Sequence, residues 1–213
     1  MLQTAIVAAS LSSLASYPRL ALWAERHYGL WYLETLLFLC SIVLWAFVFA
    51  WHTKYTHRPI FTRRPGTVPL VVAIVSAAGA AAISHFWLDP TLRTVTPLEY
   101  PQTLEQWVAL VLWTLAFTQL CLVFAPFAWL MRLFQNVSMA TVLTVLFGAF
   151  VMVIKNHSSP TPMPGGLFME VMVLRLGERL LAVYLLLRGG LPLVWLWALL
   201  YQSRHLLTLG ASH

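Results

Sequence analysis

From Val68 to Leu88 the chain carries no charged side chain, and a run of that length restricts what it can become. About 20 apolar residues cross the hydrocarbon core of a bilayer as a helix, because each adds about 1.5 Å and no backbone polar group can stay unpaired in lipid. Four more stretches meet or approach that standard: Tyr28 to Trp51, Leu104 to Met131, Val137 to Ile154, and Leu167 to Thr208. The last is interrupted by Arg188-Gly189-Gly190 and Pro192, so it reads as two helices joined by a tight turn. The stretch Leu2 to Tyr17 precedes the first arginine, Arg19, and lacks the basic start of a secretory signal. It reads as retained, either as an extra short span or as a helix at the interface. The expected fold is therefore all-α, a polytopic transmembrane bundle of six spans, or seven if the N-terminal stretch crosses.

Composition agrees. Of the 213 residues 60% are hydrophobic and only 9% charged, against roughly 25% charged in a soluble domain, which excludes an ordinary water-soluble enzyme and a disordered chain. One integral membrane domain spanning 1–213 accounts for the whole length, with neither internal repeat nor heptad array. The net charge of +6 does not point to nucleic acid, because the basic residues are scattered between apolar runs. They fit membrane orientation instead. Lys54, Arg58, Arg63 and Arg64 follow the first span, whereas Asp89, Arg93, Glu99 and Glu105 follow the second, so the first loop is expected on the cytoplasmic side together with Arg132 and Arg188. Trp51, Trp87 and Trp107 fall at span ends and read as interfacial anchors. The proline-bearing segments Thr91 to Gln102 and Asn156 to Gly166 are expected to be non-helical and outside the membrane.

Charges inside lipid are costly and mark the places to search for function. The fifth stretch holds Glu170, Arg175, Glu178 and Arg179. Helical spacing sets Arg175 one turn from both Glu178 and Arg179, so the cluster reads as a self-neutralising stripe, a polar cavity or a contact with another subunit. Among the histidines, His27, His52, His57 and His213 are expected to be solvated. His85, late in the second span, is the one candidate to ligate the metal of a haem or bacteriochlorophyll, unless it bonds a neighbouring helix. Cys40 and Cys121 lack any CxxC spacing, so neither a disulfide scaffold nor a zinc site is expected. There is no GxSxG, HExxH or Walker A sequence.

From Leu120 to Leu207 the segments FAPFAWLMRLFQN, VLFGAFVMVIKNH and RLGERLLAVYLLLRGGLPLVWLWALLYQSRHLL resemble, in order and length, the CAAX-prenyl-protease and bacteriocin-processing (CPBP) family of intramembrane proteases. That family carries Glu-Glu-x-x-x-Arg, then Phe-x-x-x-His, then His-x-x-x-Asn. With Arg132 as the motif arginine, the glutamate positions fall on Phe127 and Ala128; with Phe150 as the motif phenylalanine, the histidine position is Ile154, with His157 just beyond; the last pair falls on Tyr201 and His205. The resemblance implies a glutamate-activated water, which apolar side chains cannot supply. The expectation is thus an inactive relative in a bacterial inner membrane, serving as an accessory or scaffold subunit that contacts lipid and other integral membrane proteins. Two further readings stay open: an active membrane enzyme built on Glu170, Glu178, His157 and His205, and a subunit contacting pigment or haem in a photosynthetic or respiratory complex.

Overall fold

A computed structural model describes residues 2–23, 27–62, 65–159 and 161–209, leaving Arg63, Arg64 and His213 of the residues discussed above outside the described set. The fold is a bundle of helices: α1 (Leu2–Ala21), α2 (Leu30–Thr56), α3 (Thr67–Val95), α4 (Leu104–Phe134), α5 (Val137–His157), and a final run, Gly165–Leu209. The last five are long and apolar enough to cross a membrane, and this is a multi-pass membrane protein. No strand forms among the described residues; one isolated bridge pairs Phe61 with Gly190. Polar residues before the apolar runs start two helices: the Thr103 hydroxyl accepts from the Gln106 amide at 3.2 Å, and Asn136 Oδ1 accepts from the Met139 amide at 3.0 Å. Each satisfies one of the amides that a helix start leaves unpaired.

The final run divides at Gly190, whose φ of 69° and ψ of −169° lie outside any helix. It makes a hairpin of α6 (residues 165–189) and α7 (residues 191–202), followed by the short α8 (Arg204–Leu209). Chain reversal brings Arg175 of α6 to within 5.8 Å of the Tyr201 ring of α7. The segment after α2 clasps this turn. Leu191 donates its amide to the Ile60 carbonyl at 2.8 Å, and Arg58 Nη1 donates to the Leu187 carbonyl at 2.8 Å. Arg132, at the end of α4, lies 4.5 Å above the Trp51 ring, so Lys54, Arg58, Arg132 and Arg188 gather at one end of the bundle. We call this the basic end. The connections α3–α4 and α5–α6 and helix α8 occupy the opposite end.

Helix α1 packs against α2 and α4 with its small residues Ala5, Ala9, Ser12, Ser13 and Ser16 buried, Ser12 and Ser13 of them against α2. Small side chains let two backbones approach closely where lipid offers no hydrophobic drive for association. Polar contacts fix the register: Trp45 Nε1 donates to the Ser12 hydroxyl at 2.9 Å, and the Ser13 hydroxyl donates to the Glu34 carboxylate.

Three local expectations need correction. Asn156 to Gly166 is helical at both ends, because α5 runs to His157 and the final run starts at Gly165. Thr91 to Gln102 is not wholly irregular, because α3 continues to Val95 and Pro97–Glu99 form a single 3₁₀ turn. Pro90 directly follows the π-helical turn Ser84–Leu88 and its neighbour Asp89, and the helix ends at Thr96 before Pro97. His52 is not a solvated loop residue. It ends a π-helical turn, Val48–His52, that prolongs α2, and it is only 1% exposed, with its ring 6.2 Å from that of Phe127.

Candidate functional site

At the opposite end, a polar cluster ties α3 to the hairpin. A π-helical turn, Ser84–Leu88, precedes Asp89, and both Ser84 and Asp89 are buried. Asp89 Oδ2 accepts from Arg204 Nε at 3.3 Å, and Oδ1 accepts from the Tyr100 hydroxyl at 2.9 Å. Arg204 stacks over the Tyr201 ring at 4.0 Å and donates to the Tyr201 carbonyl at 3.1 Å; the Tyr201 hydroxyl shares a hydrogen bond with Ser84 at 2.9 Å. Burial and the adjoining Asp89 carboxylate push the Tyr100 phenol above its ordinary range. Arg93 lies 5.3 Å over the Tyr100 ring, and His205 meets the same ring edge-on at 5.4 Å.

Beside this cluster lies a cavity of about 410 Å³, bounded by α4, α5, the hairpin and α8. Glu99, Lys155, Asn156 and Thr161 stand at its polar rim, and Leu122, Val123, Val151, Phe168 and Ala182 supply apolar walls. Three ion pairs account for much of its charge, Lys155 with Glu99 at 2.5 Å, Arg175 with Glu178 at 2.7 Å and Arg204 with Asp89, and Arg19 at the end of α1 also lines it. Arg179 is different. It is 8% exposed, no carboxylate lies within 4.0 Å of it among the described residues, and its one hydrogen bond runs from Nη1 to the Met152 sulfur at 3.6 Å. Gly148 makes room for this guanidinium, since a Cβ there would lie 2.2 Å from Arg179 Nε. Four other buried polar atoms on the lining have no hydrogen-bond partner: Glu178 Oε1, Gln119 Oε1, Trp197 Nε1 and His205 Nδ1. These atoms face the cavity, where a ligand or water can supply the missing partner.

The charged stripe expected on the fifth stretch is therefore only partly formed. Arg175 and Glu178 pair, Arg179 turns to α5, and Glu170 is exposed and accepts from Trp87 Nε1 at 2.9 Å. Trp107 does more than anchor, because its Nε1 donates to the Gln202 carbonyl at 2.9 Å. Of the positions carried over from the protease pattern, Phe127 and Ala128 are fully buried, Arg132 and Ile154 are exposed, and only Tyr201 and His205 line the cavity. Glu178 joins those two, whereas Glu170 and the exposed His157 do not line it. His85 is half-buried with an unpartnered Nδ1 and packs edge-on against Phe86 at 4.8 Å. No group of three metal-ligating side chains occurs among the described residues. The Asp89–Arg204 pair, Gly148, Gln119 and Trp197 carry no sequence signal of their own beyond the rarity of an acid next to a long apolar run.

No protein-family model matches this chain, and neither the curated proteins nor the solved structures contain a match to it.

Proposed function

We propose that this chain is a non-catalytic subunit of a bacterial cytoplasmic-membrane complex, an accessory or scaffold protein laid out like a CPBP protease without its acid pair. One observation carries the reading. Phe127 and Ala128, where the likeness puts the water-activating glutamates, are 0% exposed and belong to the packed core, so no substrate or water reaches that point. The only residues of the pattern on the cavity are Tyr201 and His205, and neither is a carboxylate. In this reading the basic end faces the cytoplasm, α1 and both arms of the hairpin cross, the second arm lengthened by α8, and the chain spans seven times. Long side chains such as Trp31, Phe86 and Trp87, each more than two-thirds exposed, face lipid or neighbouring subunits.

The test is extraction from the native membrane in mild detergent, followed by measurement of particle mass and absorbance. The expected result is a large particle with defined companion chains. A lone protomer of 24.1 kDa in its detergent belt would overturn the reading, and a visible spectrum would direct attention to His85 and a haem or bacteriochlorophyll.

A further inference from the structure

We infer that the cavity of about 410 Å³ is a binding site for an oxyanion, carboxylate or phosphate, carried on an apolar body, with Arg179 as its ion partner. The argument starts from Arg179. A buried guanidinium without a carboxylate is costly, and arginine's planar donors match an oxyanion bidentately. The fold accommodates this residue deliberately in one respect: the α5 backbone approaches it at the one position, Gly148, where a side chain would collide with it.

Depth and lining decide the rest of the ligand. Gly148 lies nine residues before His157, the end of α5, so the guanidinium sits about 14 Å below the polar rim at about 1.5 Å per residue. The lining is mixed, with Leu122, Val123, Val151 and Ala182 giving apolar surface among polar residues such as Thr118, Gln119 and Gln202. An organic anion buries its body against the apolar part of this lining, which a hydrated inorganic anion cannot use. Trp197 Nε1 offers a second donor, and the unpartnered oxygens of Glu178 and Gln119 accept from a hydroxyl on the same ligand. The Arg175–Glu178 pair beside Arg179 sums to zero charge, so the Arg179 guanidinium keeps its charge for an anionic group, and Arg19 adds a second cation to the lining. The volume lies in the range of about 300–1,000 Å³ usual for small-molecule sites.

The full chain, purified in a neutral maltoside detergent, is melted by tryptophan fluorescence with octanoate, octyl phosphate, inorganic phosphate or octyl glucoside. Octanoate and octyl phosphate are expected to raise the midpoint, and the other two to leave it unchanged. Arg179→Met should unfold no earlier than the natural protein without ligand, because it removes an unpaired buried charge, yet bind about tenfold to hundredfold more weakly, the loss expected for a charged hydrogen bond. Gly148→Ala pushes the guanidinium aside and should weaken binding while leaving the charge in place, and Arg179→Lys should retain part of the shift. A parallel series in phosphatidylcholine nanodiscs, with and without phosphatidylglycerol, distinguishes the sources. An Arg179-dependent shift with phosphatidylglycerol alone assigns the oxyanion to a lipid headgroup, and one with octanoate assigns it to a free organic anion. An equal shift in Arg179→Met, or no shift with any anion in either setting, overturns the inference.

Discussion

Asp89 and Arg204, 115 residues apart, meet at 3.3 Å with side chains only 3% and 5% exposed. The pair links the end of α3 to the end of the hairpin, and each partner has further bonds: Tyr100 to Asp89, and the Tyr201 and Gln202 oxygens to Arg204. Removing one partner leaves the other buried and uncompensated, which costs about 3–5 kcal/mol, while replacing both by apolar residues restores much of the loss. Asp89→Leu and Arg204→Met should each lower the melting midpoint in detergent sharply. The double variant Asp89→Leu/Arg204→Met should melt above either single variant, and additive losses would show that the pair contributes no mutual stabilisation.

Tyr100 gives the cluster a pH signature. Burial and Asp89 hold its phenol protonated above the ordinary value near 10. The unfolded chain thus releases this proton at lower pH than the folded one. The stabilisation is fully present below about pH 10 and is lost as pH rises through the folded value. The natural protein should lose midpoint between pH 10 and 11 more steeply than Tyr100→Phe, measured as the difference between their melting curves at each pH. Parallel curves would show that Tyr100 makes no contribution there.

The length of apolar runs announces the helices well, because membrane crossing depends on a local property of the chain. The hairpin was equally legible: glycines at 189 and 190 with Pro192 break a helix whatever surrounds them, and Gly190 does hold a backbone conformation that only glycine adopts freely. What depends on tertiary neighbours was not legible. His52 looks like one more residue of a basic loop, yet a π-helical turn carries it into the core against Phe127. Arg179 and Gly148 become a pair only when α5 and α6 are side by side, and nothing in their spacing of 31 positions says so. The expected stripe failed for a related reason, since Glu170 found Trp87 on another helix before it found an arginine on its own.

The α1–α2 seam makes a separate claim about close packing. Ala5 and Ala9 of α1 are 0% exposed, leaving no volume for a larger side chain. Ala9→Leu should cost about 1–3 kcal/mol through overpacking, and Trp45→Phe about 1 kcal/mol by removing the bond to Ser12. If α1 instead lay loosely at the interface, both substitutions would leave the melting midpoint unchanged and protease would remove residues 2–21 from the intact protein. The seam predicts resistance to that cleavage in the natural protein and its appearance in Ala9→Leu.

The clasp at the hairpin turn rests on Gly190. A Cβ there would lie 2.3 Å from the Ile60 carbonyl oxygen, the atom that accepts the Leu191 amide, and the φ of +69° is strained for any other residue. Alanine would both impose the strained conformation and push Ile60 away, costing about 3 kcal/mol in backbone strain and a lost hydrogen bond. Gly177 is the matched control. It lies in α6 with nothing within 4 Å of its Cβ position, so Gly177→Ala should stabilise by about 0.5–1 kcal/mol through helix propensity. Melting midpoints should therefore rank Gly177→Ala above the natural protein and Gly190→Ala well below it. A Gly190→Ala protein as stable as the natural one would mean that Ile60 and the turn separate freely, and that the basic end is not held by this contact.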